Sequence, residues 1–255
     1  MELTLTTIED IPLIQSGDDL AKIIIEKTLQ QGIHPQAGDI FILAQKIVSK
    51  AEGRLVNLTT VTPSADALKY ANLTKKDPRF VELVLRESNC VLRTAYNTLI
   101  VEHKLGFVSA NAGIDHSNVK GDWGNDADWV LLLPENSDRS AAEIRTKLQQ
   151  RFACQLGVAI IDSHGRAWRN GTVGTTIGLS GMPGLIDLRG TEDLFGFHLK
   201  ITQVAAADEL AAGASLLMGQ ASERTPVVFA HGFPYALQDG SLQELIRPKD
   251  QDLFR

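Results

Sequence analysis

Cysteine is scarce: the 255-residue chain holds two, Cys90 and Cys154, far apart and outside any C-x-x-C spacing. That excludes a disulfide framework and a thiolate zinc site, and leaves free thiols in a reducing compartment as the expectation. Long apolar runs are missing too. The longest, such as Val130-Leu131-Leu132-Leu133, suit a strand and fall far short of the roughly 18 residues of a membrane span. Met1-Glu2-Leu3-Thr4 has neither the basic start nor the apolar core of a signal peptide, so a cytoplasmic protein is expected. Basic charge is in deficit, with 25 Lys and Arg against 31 Asp and Glu and a formal net charge of −6. Nucleic acid rewards clustered basic residues and is therefore a poor partner. An anionic substrate would need a divalent metal to turn carboxylates from repulsion into a bridge.

Several site motifs are also absent. No G-x-x-x-x-G-K-[ST] occurs, no G-x-G-x-x-G follows a strand, and H-E-x-x-H and G-x-S-x-G are missing. The six histidines are scattered, with no metal-ligand spacing.

What is present is a globular composition, 44% hydrophobic and 22% charged. Its length fits one large domain or two intimately joined ones with no visible boundary. Helices are expected after Asp18-Asp19, with Leu20, Ile23 and Ile24 on one face, and after Asp77-Pro78, with Phe80, Val81, Val84 and Leu85. Ser140-x-x-Glu143 reads as a capping box ahead of Ile144, Leu148 and Phe152. Asp208-Glu209 opens a helix that would bury Leu210, Ala214, Leu217 and Met218. Strands are expected at Asp39–Ala44, Leu99–Glu102, Phe107–Ala110, Trp129–Leu133, Val158–Ile161, His198–Val204 and Val227–Ala230. Strands and helices interleave irregularly, which reads as α+β. Asn118–Asp128 is the main loop.

Four stretches carry chemistry. In Asn111-Ala112-Gly113-Ile114-Asp115-His116-Ser117-Asn118, a strand end and glycine turn would project Asp115 as a hard oxygen ligand and Asn118 as an amide. An Asx turn is the commoner explanation of such residues. In Ile160-Ile161-Asp162-Ser163-His164-Gly165-Arg166, a carboxylate and a hydroxyl leave an apolar strand together. Arg166 and Arg169 beyond it suit either pairing with Asp162 or an anionic substrate. The glycine ladder Asn170–Gly184 offers backbone amides to phosphate, or plain tight turns. Lys50 and Arg54, within Ser49–Arg54, are cations for phosphate or solvated surface charges.

With Ile11-Pro12-Leu13-Ile14, Gly17-Asp18-Asp19-Leu20, Val48–Arg54, Ala207-Asp208-Glu209 and Leu216-Leu217-Met218-Gly219-Gln220, these stretches resemble the coenzyme F420-0:γ-glutamyl ligase family in order and spacing. The resemblance implies an α+β fold of mixed and antiparallel sheets with flanking helices, and an intertwined homodimer. It implies a GTP-dependent ligase that adds L-glutamate to F420-0 through an acyl phosphate, giving GDP and phosphate. Two divalent ions, Mg²⁺ or Mn²⁺, are implied, one on Asp115 and Asp162 and one on Ser163 and Gln220, with K⁺ a further candidate ion. The implied nucleotide positions are Pro12, Leu13, Ile14, Gln15, Gln45, Lys46, Lys50, Asn118, Met218, Gly219, Ala221, Ser222, Glu223, Arg224, Thr225 and Pro226. A Ser-Thr pair stands in family members where this chain has Gln45-Lys46, and Ser163 stands for a threonine. Some relatives carry a further reductase domain; residues 1–255 read as the ligase unit alone. A two-metal nucleotide phosphohydrolase and a non-catalytic nucleotide-binding module are the competing readings of the same residues.

Overall fold

The computed structural model describes residues 2–253, so Met1, Phe254 and Arg255 lie outside it. In chain order the first half runs β1 (Thr4–Thr7), α1 (Leu20–Gln30), β2 (Ile40–Ala44), α2 (Gln45–Ala51), β3 (Leu55–Asn57), α3 (Ala65–Thr74), α4 (Pro78–Arg86), β4 (Ser88–Ala95), β5 (Thr98–His103) and β6 (Val108–Ala110). The second half runs β7 (Trp129–Leu131), α5 (Ser137–Phe152), β8 (Gly157–Gly165), β9 (Thr172–Ser180), β10 (Ile186–Asp187), β11 (Gln203–Val204), α6 (Ala206–Met218) and β12 (Val227–His231). The fold is α+β.

The central sheet has the order β1-β12-β2-β8-β9. All its pairings are antiparallel except β2 with β8, which run parallel from Ile40 opposite Gly157 to Ala44 opposite Ile161. Both middle strands are apolar on both faces, which is why they sit in the centre. Phe41, Leu43, Val158 and Ile160 face α1 and α5, and Ile40, Ile42, Ala159 and Ile161 face α6. Each fully buried Leu, Ile or Phe contributes about 1.5–3 kcal/mol. The chain between α2 and α5 builds a second body, in which α3, α4 and the β4-β5-β6 sheet close over Phe80, Val81, Leu99 and Val101.

Helix starts follow their caps. Asp19 accepts the Lys22 N–H, and Asp77, with Pro78 behind it, accepts the Arg79 N–H. At α5 the expected start is four residues late. Asn136 is the cap and takes the Arg139 N–H at 3.0 Å, while Ser140 lies inside the first turn, donating to Glu52 and to the Asn136 carbonyl. At α6, Asp208 and Glu209 lie in the first turn, and Leu217 is 41% exposed while Leu210, Ala214 and Met218 are buried.

Two expectations fail more plainly. Of His198–Val204 only Gln203–Val204 is a strand, because Gly190 and Gly196 at positive φ turn the preceding chain out into solvent. The glycine ladder is no phosphate loop: it contains β9, whose glycines admit helices. A Cβ on Gly174 would stand 2.4 Å from the Ala211 carbonyl of α6, and one on Gly178 would stand 2.3 Å from the Ser137 side chain of α5.

Candidate active site

Parallel pairing brings the carboxyl ends of β2 and β8 to one edge, the place where open sheets with parallel strands receive ligands. β2 hands over directly to α2, so Gln45 and Lys46 leave the sheet there, and Asp162 is the next residue after the last parallel pair, Ala44–Ile161. β12 runs the other way, so Pro226 arrives at the same edge and its carbonyl takes the Ala44 N–H at 2.8 Å. Three separate segments thus meet without any loop having to find the others.

The fourth comes from the second body. Asp115 is fixed through its backbone, exchanging hydrogen bonds of 3.0 and 2.9 Å with Leu131. Its side chain makes no local turn. One carboxylate oxygen accepts from Gln45 Nε2 at 2.6 Å and the other lies 3.4 Å from Lys46 Nζ. Gln45 is 1% exposed and is itself held by the Ser49 hydroxyl, which donates to its Oε1 at 2.9 Å. Lys46 also donates to the Ser117 hydroxyl at 2.8 Å. Asn118 reaches past its own turn to donate to the Ala221 carbonyl at 3.0 Å, and its own carbonyl receives Lys50 Nζ at 2.8 Å.

Charge is under tension here. Burial pushes the Asp115 carboxyl up to about 6; Lys46 pulls it down and the negative charge of Asp162 pushes it up again. Burial, with the Lys46 charge, lowers the Lys50 ammonium from its ordinary value. Asp162 pairs with neither arginine beyond it. Its carboxylate lies 3.1 Å from His164 Nε2, at ion-pair distance but off hydrogen-bond geometry, since that nitrogen has no hydrogen-bond partner among the described residues. Ser163, on the other face of β8, donates to Gln220 Oε1 at 2.9 Å.

The donors brought together are all oxygens: two carboxylates, a hydroxyl and a side-chain amide. No cluster of three or more His, Cys, Asp or Glu side chains among the described residues forms a closed metal cage. The set fits a hard divalent cation that keeps room for water and phosphate oxygens, and such a charge would relieve the buried Asp115 beside Asp162.

The remaining expected positions divide. The turn 12–15 lies by the end of α2, where Gly17 N–H bonds to the Ala51 carbonyl, with Pro12, Leu13 and Gln15 exposed. Ile14 and Met218 put their side chains in the core, leaving only backbone for a ligand. Past α6, Gly219 ends the helix, Glu223 accepts the Ala221 N–H, and Thr225 donates to the Leu217 and Met218 carbonyls. Ser222 and Arg224 are exposed. Arg54 is no free cation, since it holds Glu87 at 2.6 Å and the Leu133 carbonyl at 2.9 Å. Arg166 and Arg169 sit on the exposed tip joining β8 to β9. Ser117 and His164 escaped the sequence reading as partners. Both lie inside motifs it had singled out, between the residues it named.

One edge of the sheet thus gathers two carboxylates, Asp115 and Asp162, with Lys46 and Lys50 beside them. The model of the F420-0:γ-glutamyl ligase family matches residues 9–232. The chain is 42% identical over 257 residues to a coenzyme F420:L-glutamate ligase of Methanothermobacter thermautotrophicus, covering 100% of both chains. It is 39% identical to one of Methanocaldococcus jannaschii, over 96% of this chain and 94% of that protein. It is 37% identical to one of Archaeoglobus fulgidus, over 100% of this chain and 97% of that protein. The chain belongs to the F420-0:γ-glutamyl ligase family.

Proposed function

We propose that this protein joins L-glutamate to the terminal carboxylate of F420-0 at the expense of GTP. A carboxylate is too poor an electrophile to be amidated in water. An oxygen of the acceptor carboxylate attacks the γ-phosphorus of GTP, the bond to the β-phosphate oxygen breaks, and GDP leaves. The resulting acyl phosphate is attacked at its carbonyl carbon by the glutamate amine. The C–O bond to phosphate breaks, the amine gives up a proton, and amide and phosphate remain. Divalent ions, when bound, neutralise the phosphoryl oxygens. Asp115 and Asp162 would hold one and Ser163 with Gln220 the other. Lys46 and Lys50 place positive charge where the triphosphate would lie, Gln45 fixes the Asp115 carboxylate, and the chain from Met218 to Pro226 walls the same edge.

The observation that carries this reading is the meeting of Asp115 and Asp162, from two bodies of the fold, with Lys46 and Lys50 beside them. Mass spectrometry of a mixture of F420-0, GTP, glutamate and Mn²⁺ should show the acceptor gaining glutamate. Phosphate release at full rate without F420-0 and glutamate would instead make it a hydrolase. Asp115→Asn and Asp162→Asn should each abolish turnover with near-native circular dichroism; near-normal turnover of either at ordinary metal concentration sinks the site.

The homodimer belongs to the same proposal. Leu194, Phe195 and Ile201 are 97%, 95% and 87% exposed on one arm between β10 and β11. Such a run of bare apolar side chains is unusual on a monomer, and a second copy of the chain is the occupant that fits it.

A further inference from the structure

β8 lays its side chains alternately on its two faces, so Asp162 and His164 share the face that Val158 and Ile160 turn to α1 and α5. At this end of the strand the second body covers that face. Phe107, just ahead of β6, packs against the same core, and its carbonyl accepts the His103 N–H at 2.8 Å. The Phe107 ring lies 5.2 Å from the His164 imidazole and 5.0 Å from that of His103, to which it is parallel within 3°. Three rings thus run from the second body to β8, and His164 is the one that reaches the site.

The two carboxylates of the site are held unequally. Asp115 has Gln45 on one oxygen and Lys46 beside the other. The Asp162 side chain accepts no hydrogen bond and meets no lysine or arginine among the described residues. At ion-pair distance it has His164 Nε2, 3.1 Å away, with the two side chains 13% and 11% exposed. That nitrogen is buried and has no hydrogen-bond partner among the described residues. A lone pair on it would face the lone pairs of the carboxylate, so the proton belongs on Nε2, and a buried N–H left unpaired carries its full desolvation penalty. The separation suits a charge-assisted hydrogen bond and only the direction is wrong. Rotation of the carboxylate about its Cβ–Cγ bond can correct that.

We infer that His164 is the positioning residue of Asp162: the neutral imidazole, wedged against Phe107, donates from Nε2 to one carboxylate oxygen and leaves the other for the divalent cation shared with Asp115. The inference rests on the ligase reading above and deepens it. The charge of Asp162 is felt at Asp115, and repulsion between the two would otherwise swing the less tethered one aside. A carboxylate fixed beforehand loses less freedom when the cation binds. One strand then serves both ion positions, with Asp162 and His164 on one face and Ser163, bonded to Gln220, on the other.

The test is Mn²⁺ binding to the full-length protein, read from the free-ion signal in electron paramagnetic resonance, for the wild type, His164→Phe and His164→Gln. Phenylalanine keeps a ring against Phe107 but has no donor; glutamine loses the ring but places an N–H at a similar reach. Loss of a group that orients a ligating carboxylate should weaken Mn²⁺ about ten-fold or more in His164→Phe, and glutamine should restore it to within about three-fold of the wild type. The Mn²⁺ concentration for half-maximal turnover should move in the same proportion. A packing role gives the reverse order, with His164→Phe binding Mn²⁺ like the wild type, and that result overturns the inference. Direct coordination overturns it as well: pulsed resonance of the Mn²⁺-loaded protein would then show a coordinated nitrogen that disappears in His164→Gln. In the wild type, Mg²⁺ should move the His164 Nε2–H proton resonance downfield as the hydrogen bond is completed; an unmoved resonance overturns the inference even if His164→Phe fails to fold. A wild type that binds no Mn²⁺, or an Asp162→Asn variant that binds it as well as the wild type, fails the site reading itself, and the two failures are thereby distinct.

Discussion

At the scale of single residues, the site is a set of cations and carboxylates that hold one another in place. Lys50 tests this directly. It donates to the Asn118 carbonyl at 2.8 Å in a partly desolvated position. A hydrogen bond between charged groups contributes about 1.5–3 kcal/mol, so Lys50→Ala should weaken GTP more than about ten-fold by calorimetry. If Lys50 only ties down the loop, affinity will hold and the melting temperature will fall instead. His103 offers a pH reading beside the site, within electrostatic reach of His164 and Asp162. It is 2% exposed, stacks on Phe107 and accepts the Leu105 N–H at Nδ1. Burial, assisted by the charge of Arg54, pushes it down to about 4. The native imidazole thus stays neutral while the unfolded chain binds a proton below its ordinary value near 6.5. The His103 contribution is fully present above that pH and is lost as pH falls toward 4, by at most about 1.4 kcal/mol per pH unit. His103→Asn keeps an acceptor and should flatten the fall of melting temperature over this window; an unchanged slope would show that His103 does not drive it.

At the scale of elements, the sheet edge depends on how closely helices lie on β9. Gly178→Ala forces a methyl into the Ser137 backbone of α5, and Gly174→Ala forces one into α6. Overpacking of this kind costs about 1–3 kcal/mol, at roughly 2–4 °C per kcal/mol for a chain of this size. Gly165→Ala, which meets nothing within 4 Å, is the control in the same thermal melts. Equal melting temperatures for Gly178→Ala and Gly165→Ala would show that α5 yields freely. These glycines also show what the sequence could and could not tell. β2 and the start of β8 were legible because Ile40–Leu43 and Val158–Ile161 are unbroken apolar runs. β9 was not, because alternating Gly and Thr look like turn chemistry until two helices are laid against them. α2 was missed because its seven residues show too little periodicity to read. Asp115 stood out in its motif, but only the family resemblance favoured a ligand over an Asx turn. Its residues suit an Asx turn equally well, and the partners that decide the matter, Gln45 and Lys46, lie 70 residues away in the chain.

At the scale of the whole molecule, the exposed arm is where the proposed dimer is open to test. The chain weighs 27.8 kDa, and light scattering at micromolar concentration should return twice that mass. Replacing Leu194 and Phe195 together by aspartate should shift the species to monomer without lowering the helical circular dichroism signal. A wild-type monomer would remove the dimer from the proposal. No helix among the described residues is long and apolar enough to cross a membrane.

The pairing of β1 with β12, Thr4 opposite His231, and of β2 with β8 also fixes an order of events during synthesis. A ribosome delivers β1 and β2 first, but β2 waits for β8 and β1 waits for β12. The strands that become the centre of the sheet therefore spend most of translation without their neighbours, in a topology dominated by non-local contacts that closes slowly. The second body, whose α3, α4 and β4-β5-β6 sheet are contiguous in the chain, can assemble in the meantime and place Asp115 on a finished surface. The carboxylate edge then comes into being in the last step, when β12 slots between β1 and β2. A chain released before that step would carry Asp115 and Asp162 without the completed sheet edge that positions them.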